Sequence, residues 1–174
     1  IAARGQLLAK VGTRHRSDPF LLCAETHCQV YSGTTRRHRR TTAAVQQTRG
    51  QLLFYKERLV DTTYSATCGG HSEAFHEMWG GEPKPYSNGQ IDNRKASTKP
   101  IAATEVEHFI DNPPRSYCEG PKRKSKTFRW TVKRSGRYVT RAVNRRAKIG
   151  QVHQIEALKR GYSGRALSVK YTGD

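Results

Sequence analysis

The stretch "GRYVTRAVNRRAKIGQVHQIEALKRGYSGRALSVKYTG", residues 136–173, decides the fold class. Its first half spaces Tyr138, Val139, Ala142, Val143 and Ile149 as the buried stripe of a helix. Its second half holds two apolar and β-branched runs around "GYSG", which predicts a hairpin. A helix and a hairpin in series, without βαβ regularity, predict an α+β fold of short helices interspersed with β-hairpins.

The rest of the chain extends this pattern. "KTFRWTVKRS" (126–135) alternates Phe128, Trp130 and Val132, which predicts a strand with a basic outer face. "TEVEHFIDN" predicts a short helix with Thr104 as cap and Glu107 at the capping-box position. Residues 69–100, with three prolines and many Gly, Ser and Asn, read as mostly irregular. "QLLFY" and "LVDTTYSAT" around the polar break "KER" predict a second hairpin. "TTAAVQQTRG" predicts a helix closed at Gly50, and "IAARGQLLAKVG" one ending near Gly12. Residues 13–22 read as a polar connection and 34–40 as a basic loop.

At 174 residues the chain has room for one sizeable core or two small lobes. The hydrophobic fraction is low at 34%, and mean hydropathy is −0.82, yet the apolar residues are clustered, which favours a folded chain over a disordered one. The 32 Lys plus Arg against 14 Asp plus Glu give a net charge of +18, a field that concentrates polyanions. Nucleic acid, anionic lipid and the polymers of a bacterial wall all qualify. No run approaches transmembrane length. In residues 122–146 three aromatics interleave with many cations, but their periodicity assigns them to the core, against a nucleic-acid interface.

Two short stretches carry candidate chemistry. "CAETHCQVYSG" (23–33) brings Cys23, His27 and Cys28 within six positions. With Cys68 and Cys118 the chain has four cysteines, an even number that permits two disulfides in an oxidising compartment, while Cys and His together also suit zinc. Spacing leaves both readings open. In "YSATCGGHSEAFHEMW" (64–79) a strand ends at a Gly-Gly turn where backbone N–H groups can approach a ligand. His71, Ser72, Glu73 and Trp79 follow, polar groups and an aromatic plate that suit a sugar site. No GxSxG or HExxH motif is present.

In order along the chain, "AAR" at Ala2 to Arg4, "CAETHCQVYSG", "AAVQQTRGQLLFY", "YSATCGGHSE", Trp79, "FRWTV" and "IGQVHQIEALKRGYSGRALSV" resemble the SpoIID/LytB family. That family contains stage II sporulation protein D and the amidase enhancer LytB. The resemblance implies a partial SpoIID-like domain over 1–174, with lobes of about 1–95 and 100–174 around a groove. It implies an extracytoplasmic, cell-envelope protein acting on peptidoglycan glycan strands, either as part of a lytic transglycosylase or as a non-catalytic amidase enhancer. A transglycosylase uses one carboxyl group as acid and then base, releasing an anhydro-sugar without water.

The family's catalytic glutamate precedes the helix whose tail here is "IAAR", so it is expected upstream of Ile1, along with any signal or anchor. The downstream "GHGVGMSQ" motif is absent from the sequence. No catalytic residue is therefore carried over; Glu73 takes at most a supporting role, and this stretch is expected to be inactive alone. The groove residues carried over are Arg4, Gln29, Tyr31, Thr67, Gly69, Gly70, His71, Ser72, Glu73 and Trp79. Some members bind structural zinc near Cys23 to Cys28; no cofactor is required for catalysis. Wall polymers, and an amidase or other wall hydrolase, are the expected partners, with nucleic acid the alternative.

Overall fold

A computed structural model of the chain describes residues 1–119 and 127–174. The chain divides into two compact units, Ile1–Ser65 and Ala66–Asp174.

The first unit contains helices α1 (Ala2–Lys10) and α2 (Arg39–Gln47) and a hairpin of β1 (Phe54–Tyr55) and β2 (Arg58–Leu59). Gly5 is the buried position of α1: a Cβ there would sit 2.6 Å from Thr62 Oγ1, so only glycine lets the helix approach the segment after β2. Thr62 Oγ1 seals that contact by donating to the Ala2 carbonyl at 2.6 Å. Arg4 Nη1 donates to the Thr48 and Gln51 carbonyls at 2.7 and 2.9 Å, satisfying acceptors around the C-terminal end of α2, where a cation is favourable. The β1–β2 turn places Lys56 and Glu57 at φ 46° and 63°, the left-handed pair of a tight hairpin turn.

The second unit contains α3 (Phe75–Trp79), α4 (Val106–Asp111), α5 (Gly136–Asn144) and the antiparallel hairpin of β3 (Gln154–Arg160) and β4 (Ala166–Thr172). The mixed composition of short helices and two-stranded antiparallel sheets is the expected α+β class. Pairing runs from Gln154 opposite Thr172 to Arg160 opposite Ala166, with an irregularity between Ala157 and Arg160. Ser135 caps α5 by accepting from the Tyr138 N–H at 3.2 Å. Asn144 then closes the loop after α5: its Nδ2 donates to the Thr140 and Gly150 carbonyls while its Oδ1 accepts from the Ile149 N–H.

The buried centre of this unit gathers His71, Ala74 and Phe128. The Phe109 and Phe128 rings and Pro114 crowd around Gly70. Arg129 packs its guanidinium against both rings, at 5.1 Å from Phe109 and 4.8 Å from Phe128. It donates to the Gly69, Phe128, Phe109 and Ile110 carbonyls. Burial, then the nearby Arg165 charge, pushes its pKa down.

Three local expectations are corrected. Residues 127–135 form no strand, although Phe128 is buried; Trp130 and Val132 are exposed, because no neighbouring segment pairs with them. Residues 122–126 of the basic cluster lie outside the described residues. In α5, Val139 and Val143 are half-buried, as is Ile149 beyond it, but Tyr138 and Ala142 face solvent. The cap of α4 is Glu105 rather than Thr104: a 3-10 turn at Ala103–Glu105 leads in, and the Glu105 carboxylate accepts from the Ala102 N–H at 3.2 Å. Among the described residues no helix is long and apolar enough to cross a membrane.

Candidate functional site

The first unit's site is the loop from α1 to Gly33. Cys23, His27 and Cys28 converge there with a fourth residue, His15. Their donor atoms all lie within 4.8 Å of one another. The His27 Nδ1 is 3.8 Å from Cys23 Sγ, 3.7 Å from Cys28 Sγ and 3.2 Å from His15 Nε2. Tetrahedral zinc, bonded at about 2.0 Å to nitrogen and about 2.3 Å to sulfur, separates its ligand atoms by roughly 3.3–3.8 Å. The four side chains therefore fit a Cys₂His₂ zinc.

A second layer supports this geometry. Asp18 Oδ2 takes the other face of the His15 ring, its Nδ1, at 2.7 Å, aiming Nε2 into the cluster. His15 itself sits at φ 56°, a left-handed conformation uncommon outside glycine that turns its ring toward the cysteines. Arg14 and Lys10 donate to the His27 and Cys28 carbonyls. The Cys23 thiol pKa is pulled down to about 6, first by hydrogen bonding from the Glu25 backbone, then by His27 and its other neighbours against a counteracting desolvation. The His15 pKa is raised, chiefly by Asp18. All four cysteines of the chain are free thiols in this structure.

Sequence reading missed His15, since it lies in a polar connection eight positions before Cys23. The signal was the count: zinc needs four ligands, and "CAETHC" supplies three.

Beside the cluster lies a cavity of about 260 Å³ bordered by Leu7, Leu22, Cys23, Cys28, Gln29 and Tyr31. Gln29 Nε2 donates to Tyr64 Oη at 2.8 Å, while its Oε1 is buried with no partner. Tyr31 is 64% exposed, and its N–H closes the loop on the Ala24 carbonyl. Arg4 stands apart, occupied with the end of α2.

In the second unit the residues expected near a sugar cluster around the Gly69–Gly70 turn, at φ 66° and 95°. Thr67 Oγ1 accepts from the Gly69 N–H at 3.3 Å. His71 is fully buried, its ring nitrogens facing the Ser72 and Lys99 carbonyls. Ser72 pairs with the Gln90 backbone through both its hydroxyl and its N–H. Glu73 is drawn into the hairpin turn, where Ser163 donates to it. His71, Ser72 and Glu73 thus stiffen the turn from within. Trp79 is different: it ends α3 with 74% of its surface exposed. Elsewhere in the unit Arg94, Lys95, Arg115 and Tyr117 border a hollow of about 460 Å³.

Known proteins resemble the chain in parts. Over 80 residues, 46% of the chain, it is 30% identical to an uncharacterized protein of Brachyspira hyodysenteriae (strain ATCC 49526 / WA1). Over 79 residues, 45% of the chain, it is 35% identical to the amidase enhancer of Bacillus subtilis (strain 168). These matches span only 22% and 10% of those relatives' own lengths. No solved structure matches significantly. Residues 1–55 match the family described as Stage II sporulation protein, and residues 73–174, more than half of the chain, match the Domain of unknown function (DUF8618). The chain thus belongs to the DUF8618 family, and its residues 1–55 form a SpoIID/LytB-like segment.

Proposed function

We propose that this chain is a peptidoglycan-binding part of a cell-envelope protein of SpoIID/LytB type. The observation that carries the reading is the Stage II sporulation protein match over residues 1–55, the segment that holds the Gln29–Tyr31 wall of the cavity. Tyr31 and Trp79 offer aromatic faces for sugar rings. The basic surface, including the Arg94–Lys95–Arg115 hollow, attracts the carboxylates and phosphates of wall polymers.

His15, Cys23, His27 and Cys28 hold a zinc ion whose four positions are all filled by protein, so that it braces the cavity wall and activates no water. Glu73 serves the fold through Ser163, and the chain's own contribution to either wall activity is to hold the glycan.

Two activities of the whole protein fit this role: cleavage of the glycan as a lytic transglycosylase, and stimulation of an amidase. The likeness to a protein named amidase enhancer favours the second as strongly as the family favours the first. The test adds the chain to purified sacculi with and without an amidase. Faster release of stem peptides only when both are present supports enhancement, and release of anhydro-muropeptides by the chain alone would show that it carries its own acid. If the chain changes neither reaction and binds duplex DNA instead, the wall reading fails.

A further inference from the structure

Outside the site just described, one pair of reactive groups is placed with unusual specificity. Cys68, at the entry to the Gly69–Gly70 turn, and Cys118, in the 3-10 turn Tyr117–Glu119, lie fifty positions apart with their sulfurs 3.0 Å from each other. The approach is fixed by backbone as well as by side-chain torsions. The Cys68 N–H points at the Cys118 sulfur at 3.3 Å. Asp92 ties both partners together: its N–H donates to the Gly70 carbonyl, its carbonyl accepts from the Tyr117 N–H, and its carboxylate accepts from the Cys118 N–H at 2.7 Å. Both cysteines are half-buried.

We propose that Cys68 and Cys118 form an intramolecular disulfide, leaving Cys23 and Cys28 as the metal-binding pair. A bond of about 2.05 Å needs the sulfurs to close by roughly 1 Å, within reach of side-chain rotation. A metal is the competing use, since Cys68, Asp92 and Cys118 present donors within 4.8 Å of one another. That set has three donors among the described residues, and its carboxylate is already engaged by the Cys118 N–H.

The reaction consumes an external disulfide as oxidant, of protein or small-molecule class. A thiolate from one cysteine attacks an oxidant sulfur and expels one thiolate, forming a mixed disulfide. The second cysteine, as thiolate, attacks the protein-side sulfur and expels the other. Two protein thiols and one external disulfide become one protein disulfide and two external thiols, which take up the two protons.

The bridge fastens a turn whose carbonyls are held by arginines: Arg165 donates to Cys68 at 2.7 Å and to His71 at 3.1 Å, and Arg129 to Gly69 at 2.6 Å. It closes a long loop, so it restricts the unfolded chain and raises the thermal midpoint by roughly 5–15 °C.

The test is a non-reducing peptide map of the zinc-supplemented chain after equilibration with oxidised glutathione. The expected result is one cross-linked pair, Cys68 with Cys118, two hydrogens lighter than the free peptides, with Cys23 and Cys28 alkylated once zinc is chelated. Free Cys68 and Cys118, or either one joined to Cys23 or Cys28, would overturn the assignment. Binding of a second zinc equivalent that Cys68→Ser abolishes would overturn it in favour of the metal. A reductant should lower the wild-type midpoint and leave that of the Cys68→Ser/Cys118→Ser variant unchanged; an equal drop in both would also count against the bridge.

Discussion

Glu73 and Ser163, ninety positions apart, are joined at three points: the Ser163 hydroxyl and N–H both donate to the Glu73 carboxylate, the N–H reaching each oxygen at 3.4 Å. The carboxylate fills the space over Gly161 so closely that a Cβ there would lie 2.6 Å from it. This contact docks the "GYSG" turn of the β3–β4 hairpin onto the segment that follows the Gly-Gly turn. It explains why the most suggestive acid in "GGHSE" acts as a brace.

Glu73→Ala should therefore destabilise the chain by about 2 kcal/mol, because it strands the buried Ser163 hydroxyl and N–H without an acceptor. Glu73→Gln keeps an acceptor and should cost less. Urea unfolding measures both, and unchanged stability in Glu73→Ala would show that the contact contributes nothing.

The Cys₂His₂ cluster predicts one zinc per chain by elemental analysis. His15→Ala should lose it, and Asp18→Asn should weaken binding by about tenfold by freeing the ring that Asp18 orients. A chain that holds zinc equally well without His15 would show that the fourth ligand comes from elsewhere.

Metal retention should also follow pH in one direction. The fold lowers the Cys23 thiol from 9.0 to about 6, so at neutral pH the thiolate is present and zinc meets no proton at this sulfur. As pH falls, protons compete increasingly for the ligands and zinc is released. Titration with a chromogenic chelator from pH 8 to pH 5 reads this, and retention independent of pH would contradict it.

Trp79 and Tyr31 are exposed and carry little of the fold, so alanine at either position should leave the melting temperature nearly unchanged. Each should weaken binding to glycan strands by about tenfold, the scale expected when an aromatic platform is lost. Wild-type binding by both variants would remove the aromatic contact from the proposal.

The legible parts of the chain were those with local causes. The β3–β4 hairpin follows from the apolar runs on both sides of "GYSG", and helices were expected in the segments of α2 and α5, although α2 begins at Arg39, capped by His38, inside the stretch read as a basic loop. Arg129 shows what was hidden. In sequence it is one cation on the basic face of an apparent strand, but it is half-buried and surrounded by the carbonyls of Gly69, Phe109, Ile110 and Phe128. Backbone acceptors brought together by folding leave no mark in side-chain chemistry. His15 was hidden in the same way, because convergence on Cys23 depends on a left-handed residue inside a polar loop. The Gly-Gly turn was visible as a turn, but the burial of His71 beneath it depends on the distant Lys99 carbonyl.

Co-sedimentation of the zinc-loaded chain with purified sacculi, across a salt series, tests the central proposal most directly. The account predicts retention at low salt that falls as salt rises and is further reduced by Trp79→Ala or Tyr31→Ala. A chain that stays in the supernatant at every salt concentration, while remaining folded, would contradict it.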